Sequence, residues 1–396
     1  MTDPVHSPQV PSAITKTVAP WMDDSNFPTR VEGSLYGYRQ GYRRGSTNPC
    51  SAQKLDEALR NDTWHMISLV WTPERLRLLP PIEFPSLHAV CKVRAISTAK
   101  RVLFYTTLIV GLAILGMVLP VLLFDLDWTR LDKTNLAIFC LSLTAVLGLF
   151  AITAYDFDQA RRFSPAYVAQ QVTSARYGFW LLCQKSHWRY ILPLSLILIW
   201  VLQIYTPDIS SLQAAGLAKE AVRNGEWWRL TTAPFIHGNT LHVTMNALMF
   251  YVCAWQVEVM APRGSVPFIT LAGFLLGGMF SVLFNPVDSV GASGGAFALV
   301  GFLATFGWRF RTVLPRNFAS FIFVNVGLMF FYGLLMPQID NATHMGGLIA
   351  GLVIGFLTTG RMQTEFSTLL PLLGRLSAGV FVLALIAVFA RHWYLV

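Results

Sequence analysis

Apolar runs of bilayer length recur along this chain, and no other feature constrains its fold as tightly. They cover residues 101–124, 135–155, 190–205, 240–257, 266–284, 293–308, 318–336, 343–360 and 376–396. The hydrocarbon layer of a membrane takes roughly 20 residues of helix. It offers no partner to a free N–H or C=O, so each run must satisfy its backbone internally, as a helix does. Nine such runs predict an all-α polytopic membrane protein. Composition agrees: 54% of the 396 residues are hydrophobic and 13% are charged, too few charges to cover a soluble surface.

The basic residues orient the runs. Lys92, Arg94, Lys100 and Arg101 precede the first run, and Arg161, Arg162, Arg176, Lys185 and Arg189 follow the second. Arg309, Arg311 and Arg316 follow the sixth, and Arg361 follows the eighth. The alternate loops, 285–292 and 337–342, hold no Lys or Arg. Positive charge concentrates in cytoplasmic loops, so the N-terminus is expected in the cytoplasm of a multi-pass protein of the cell membrane. The formal charge of +9 is accounted for in this way, without a nucleic-acid partner. The same parity makes the runs beginning near 240, 293 and 343 run from outside to inside, with their N-terminal ends at one external face.

Residues 1–100 are mixed in character and interrupted by proline. They carry no apolar segment behind a basic start, so the first run is expected to act as an uncleaved insertion signal. Residues 55–62 (LDEALRND) read as a helix start and 64–71 (WHMISLVW) as a strand of a small cytoplasmic domain. YGYRQGYRRG (36–45) reads as a flexible basic patch facing anionic lipid. Cys50, Cys91, Cys140, Cys183 and Cys253 are scattered without paired spacing, which predicts neither a disulfide framework nor a zinc ribbon.

Strongly polar side chains inside membrane runs are functional candidates. Here they are His242 and Asn246 in HGNTLHVTMNALMF, Ser293 in GASGG, and His344 in NATHMGGLIAGLVIG. All lie in the first turns of the three co-directed runs, so they are expected at similar depth below the outer surface. His242 and Asn246 are four apart and share a helix face. Gly347, Gly351 and Gly355 follow His344, and Gly294, Ala298 and Gly301 follow Ser293. Stripes of small residues let two backbones approach in lipid. If these two stripes meet, the Ser293 hydroxyl and the His344 ring come within reach, the minimum for nucleophilic acyl transfer. Donors for the oxyanion would come from the Ser293 N–H, Asn246 and His242, with Gly291 and Gly294 freeing the backbone to aim N–H groups.

Each piece has a plainer explanation. A lone serine or glycine stripe in a membrane helix is more often packing, and a lone His or Asn is more often an interhelical hydrogen bond. GASGG also fits the G-x-S-x-G elbow of soluble hydrolases, with Asp340 and His344 following in order, but that elbow needs a strand before the serine. His237, His242 and His344 lack HExxH spacing and an intramembrane carboxylate, so no metal is predicted. Asp340 reads as a loop or helix-start residue.

In combination the residues resemble the rhomboid family of intramembrane serine proteases. Trp228-Arg229 matches the family's Trp-Arg pair, and His242 to Asn246 its H-x-x-x-N, with His237 five residues earlier. Gly291 to Gly294 matches G-x-S-G, and His344 to Gly351 matches H-x-x-G-x-x-x-G. The resemblance implies a Ser293–His344 dyad with no acidic third member and no cofactor. It implies oxyanion contacts from His242, Asn246 and the Ser293 N–H. It also implies substrates that are themselves membrane-spanning helices, cut near the outer surface, and a water-filled opening to the outside. The 206–239 segment is expected partly in the interface. Phe297 departs from the tyrosine that many bacterial members carry four residues after the serine; a phenylalanine can still stack on His344 but loses the phenol contact, a change expected to slow catalysis at most, not to abolish it.

The expected organisation is an N-terminal cytoplasmic region (1–100), two additional spans (101–155) and a basic linker (156–189). A six-helix rhomboid-like core (190–360) and one further C-terminal span (361–396) follow, leaving the C-terminus outside. The competing functions are a catalytically silent rhomboid-like scaffold and a transporter. The latter is disfavoured because no inverted repeat is visible and the polar groups gather at one face.

Overall fold

The computed structural model describes residues 19–42, 45–62, 66–124, 133–205, 208–316, 318, 322, 339–359 and 363–393. The chain is mainly helical, with two compact units. One lies within 15–184 together with 313–316; the other lies within 185–312 and 317–396.

The first unit opens on a three-stranded antiparallel sheet of order β2-β1-β3, with β1 Tyr36–Gln40, β2 Ser46–Cys50 and β3 Ile67–Trp71. The strand expected at 64–71 is β3, and the helix expected at 55–62 is α1 (Ala52–Asn61). Ser51 caps α1 by accepting the Lys54 N–H. Residues 36–40, read from sequence as part of a flexible patch, are the central strand. The Trp71 ring lies over Gly37, where a Cβ would collide with it. Trp71, Leu69, Leu79, Phe84 and Phe27 make the buried core of this sheet.

Two long helices follow, α2 (His88–Phe124) and α3 (Lys133–Arg162), which pack together. The basic residues read as lying ahead of the first span sit inside α2, and Arg94 pairs with Asp62 at 2.9 Å. The stretch 156–189, read as a linker, contains the end of α3 and all of α4 (Pro165–Cys183). Arg176 of α4 is buried against Glu83 and Asp24 at 2.5 and 2.7 Å.

The second unit begins with α5 (Trp188–Ile204). Its N-terminus is capped by Glu258 of a later helix, which accepts the backbone N–H groups of His187 and Trp188, both at 2.9 Å. Short helices α6 (Asp208–Ala215), α7 (Lys219–Arg223) and α8 (Arg229–Thr232) form the connecting loop. Then come α9 (Thr240–Met260), α10 (Ser265–Phe284), α11 (Ser293–Arg309), α12 (Asn341–Thr359) and α13 (Gln363–Trp393). Gly264 turns the chain between α9 and α10 with φ of 89°.

Five helices among the described residues are long and apolar enough to cross a membrane: Pro85–Leu112, Thr240–Met260, Ser265–Phe284, Asn341–Thr359 and Thr368–Trp393. The chain is a polytopic α-helical membrane protein. The runs at 190–205 and 293–308 are helices α5 and α11, of 17 residues each. The run at 318–336 lies outside the described residues. The last helix starts at Gln363, well before residue 376; Arg375 lies inside it, its guanidinium turned back to the Pro371 carbonyl at 3.3 Å.

The tightest contact is between α11 and α12, with α10 packed on both and α9 joining α5 to α11. A Cβ placed at Gly347 would fall on the Gly294 carbonyl, and one at Gly351 on the Ala298 carbonyl. A Cβ at Gly355 would lie 2.8 Å from Thr305. The helices therefore touch backbone to backbone. α13 meets this core along its length: Gly374 lies against Gly264, Phe381 packs on Phe274 and Phe235, and His392 Nε2 and Ser211 share a 3.0 Å hydrogen bond. Beside it Arg391 stacks over Trp228, 4.6 Å from the ring centroid.

Gly351→Val is expected to cost about 1–3 kcal/mol or more through overpacking. Gly379→Ala, where a Cβ meets nothing within 4 Å, is expected to cost nothing. Unfolding of the purified variants in a denaturing-detergent titration checks both.

Candidate active site

Ser293 is the first residue of α11 and His344 lies in the first turn of α12. The first turn of a helix leaves N–H groups without an intrahelical acceptor, and among the described residues no backbone carbonyl takes the Ser293 N–H, a donor of the kind an oxyanion needs. The glycine-lined contact brings the two side chains together, with Ser293 Oγ 2.9 Å from His344 Nε2. Ser293 is half-buried and His344 is 7% exposed. The Nδ1 atom of His344 has no hydrogen-bond partner among the described residues. With the hydroxyl donating to Nε2, the neutral ring carries its proton on Nδ1.

Phe297 lies one turn after the serine and stacks on the His344 ring, with centroids 4.2 Å apart and planes 14° apart. It fixes the imidazole plane by contact alone, since it has no hydroxyl. Gly291 takes φ of 119°, and a Cβ there would strike the His242 ring. His242 thus covers the turn entering Ser293. The Gly291 N–H is held by the Ala233 carbonyl at 3.2 Å.

Asn246 is buried one turn below His242, and its amide is already engaged. Its amino group meets His237 Nε2 at 3.3 Å and the His242 carbonyl at 3.2 Å. No hydrogen bond joins it to Ser293 or His344 among the described residues. His237 is held in turn by Gln203, which accepts its N–H at 3.0 Å and donates to its carbonyl at 3.1 Å. The His237 and His242 rings meet edge to face at 5.0 Å.

Trp228 and Arg229 stand apart from the serine and organise the loop. Arg229 is buried and donates to Glu226 at 2.7 Å, to the Gly216 carbonyl at 2.8 Å and to the Gln213 carbonyl at 2.9 Å. The guanidinium groups of Arg229 and Arg391 each lie over the Trp228 ring, 4.6 Å from its centroid. Gly294, Gly347 and Gly351 act through the helix contact alone.

Gln203 escaped the sequence reading: it sits in an apolar run, and nothing in its spacing points to His237. Asp340, read as a loop or helix-start residue, caps α12 by accepting the Thr343 N–H at 3.1 Å and its hydroxyl at 2.8 Å.

A hydroxyl held on an uncharged imidazole at the mouth of two helices can be deprotonated as it attacks a carbonyl. Residues 224–361 match the Rhomboid domain. Rhomboid protease GluP of Bacillus subtilis is 31% identical over 161 residues, covering 40% of this chain and 32% of that protein. RHOMBOID-like protein 6, mitochondrial, of Arabidopsis thaliana is 32% identical over 166 residues, 40% of this chain and 53% of that protein. Rhomboid protease GlpG of Yersinia enterocolitica is 32% identical over 137 residues, 33% of this chain and 48% of that protein. The chain thus spans about a third to a half of the curated relatives it matches.

Burial, and secondarily the neighbouring His242, lowers the His237 pKa from 6.5 to about 3. Between those values the unfolded chain binds a proton that the folded chain refuses. This histidine's contribution to stability is therefore intact above pH 6.5 and lost as pH falls toward 3. The slope is at most about 1.4 kcal/mol per pH unit. His237→Gln is expected to flatten it, as read from detergent unfolding across that range.

Proposed function

We propose, from the premise that the chain belongs to the rhomboid family through its residues 224–361, that it is an intramembrane serine endopeptidase. It hydrolyses peptide bonds in or next to transmembrane segments of other membrane proteins. The observation that carries the reading is the 2.9 Å contact between Ser293 Oγ and His344 Nε2.

In this mechanism His344 takes the hydroxyl proton as Oγ bonds to the scissile carbonyl carbon. The oxyanion forms beside the Ser293 N–H and the His242 ring. Asn246 reaches it by releasing one of its two present acceptors, His237 or the His242 carbonyl. Collapse of the intermediate breaks the C–N bond, and His344 returns its proton to the departing amine. Water then attacks the acyl carbonyl, with His344 taking its proton; the C–Oγ bond breaks, His344 returns that proton to Ser293 Oγ, and the new carboxyl terminus leaves. Phe297 holds the ring plane throughout; the proposal uses no acidic third member, and Nδ1 has no hydrogen-bond partner among the described residues.

Residues 190–360 form the catalytic core in this proposal, with the site opening to the extracytoplasmic side of the cell membrane and the N-terminal region in the cytoplasm. In this reading the reaction uses no metal, the proton being carried by His344 alone.

Ser293→Ala and His344→Ala are each expected to abolish cleavage of a model spanning substrate. Asn246→Ala is expected to lower the rate roughly 100–1,000-fold, the usual loss for one oxyanion donor. A chelator is expected to change nothing. Covalent labelling by a fluorophosphonate probe, lost in Ser293→Ala, is the deciding measurement. A folded but unlabelled wild type would point instead to a rhomboid-like protein that binds membrane helices without cutting them.

A further inference from the structure

Lys219 is the most deeply buried cation among the described residues of the core, with 1% of its surface exposed. It stands at the start of α7, far in sequence from both Ser293 and His344. Its ammonium donates to Ser281 at the end of α10 and, at 2.8 Å, to Ser289 in the loop that enters Ser293. It also lies 3.7 Å from the Asp340 carboxylate. The Ser281 hydroxyl, itself fully buried, passes a hydrogen bond on to that same carboxylate. The backbone of Lys219 continues the arrangement, its N–H donating to Asp288 at 2.8 Å. Next to it, Leu217 and Ser289 form an isolated antiparallel bridge.

Two of the segments gathered here carry the reacting groups. Ser289 precedes Ser293 by four residues. Asp340 caps α12 through Thr343, and its carbonyl accepts the His344 N–H at 3.3 Å. We infer that Lys219 is a positioning residue for the proposed hydrolysis: its buried ammonium ties the loop entering Ser293 to the cap of the helix carrying His344. This rests on the enzyme reading, because the tie matters to chemistry only if the Ser293–His344 pair reacts.

The energetics favour a positioning role over plain stabilisation. A buried ion pair replaced by apolar residues of like volume is often no less stable, because desolvation offsets the attraction. Its directional value is different: three acceptors from three segments converge on one ammonium, and none can shift without leaving a buried group unpaired. The glycine contact sets how closely α11 and α12 approach. The Lys219 tie sets how their N-terminal ends stand along the helix axes, where a displacement of order 1 Å costs about 100-fold in rate.

The test compares full-length wild type, Lys219→Met, Asp340→Asn and the double variant, with Glu220→Gln as a control on the neighbouring exposed residue. Three readings are taken on folded protein in detergent: the kcat and KM split on a spanning substrate, the rate of fluorophosphonate labelling, and amide hydrogen exchange. Each single substitution is expected to lower kcat about 10- to 100-fold with KM within about twofold. The double variant is expected to lose no more than the worse single, as two changes breaking one tie should. Exchange is expected to rise in 285–293 and 340–346 together, and not in 245–260. Glu220→Gln is expected to match wild type throughout. Unchanged kcat in folded Lys219→Met, or exchange rising in only one of the two segments, overturns the inference. A wild type that neither cleaves nor labels would sink the enzyme reading, while exchange would still decide the tie. If Lys219→Met does not fold, Ser289→Ala removes one acceptor and carries the same readings at smaller amplitude.

Discussion

Everything at the site depends on a helix contact made without side chains. Where α11 and α12 cross, Gly347 meets the Gly294 carbonyl and Gly351 meets the Ala298 carbonyl. Lipid supplies no hydrophobic drive for two helices to associate, so dispersion at close range has to do it. Close range requires glycine. Because the contact is backbone on backbone, few side-chain rotamers intervene between it and the Ser293–His344 distance. The imidazole gains its last constraint from the Phe297 ring, which packs flat against it.

Around that contact, the 208–239 loop is fastened at several independent points. Arg229 gathers the carbonyls of Gln213 and Gly216, Lys219 reaches to α10 and to the cap of α12, and Gln203 holds His237. Each is a polar group buried with its partners present, which is the condition under which buried polar groups are tolerated. The loop is thus an ordered wall of the site, and His237 and Asn246 derive their orientation from it.

The sequence carried much of this legibly, for identifiable reasons. Long apolar runs and charge parity have a period or a sign that survives in one dimension, so the helices α9, α10 and α12 emerge within a few residues of their bounds. Glycines four apart announce a close helix face, and the histidine and serine at the heads of two such faces announce the pair. Other features had no such signature. Lys219 is one cation in a loop whose acceptors lie about 60 to 120 residues away in sequence, and Gln203 is a lone amide in an apolar run. The strand at 36–40 was hidden by its own composition, since Tyr, Arg and Gly in alternation suit a flexible patch as well as the middle of a small sheet. Arg375 misplaced the start of the last helix, because a charge in an apolar stretch reads as a boundary unless its local carbonyl partner is known.

The way α13 is attached has a mechanical consequence. It touches the turn between α9 and α10 through Gly264 and Gly374, and the Trp228 loop through His392 and Arg391. Between these points Phe381 packs edge-on against Phe274 and Phe235, so the helix is held along its length. A helix that meets a change in bilayer thickness by tilting would therefore carry Phe235 and Trp228 with it, and both belong to the segment that leads into His237.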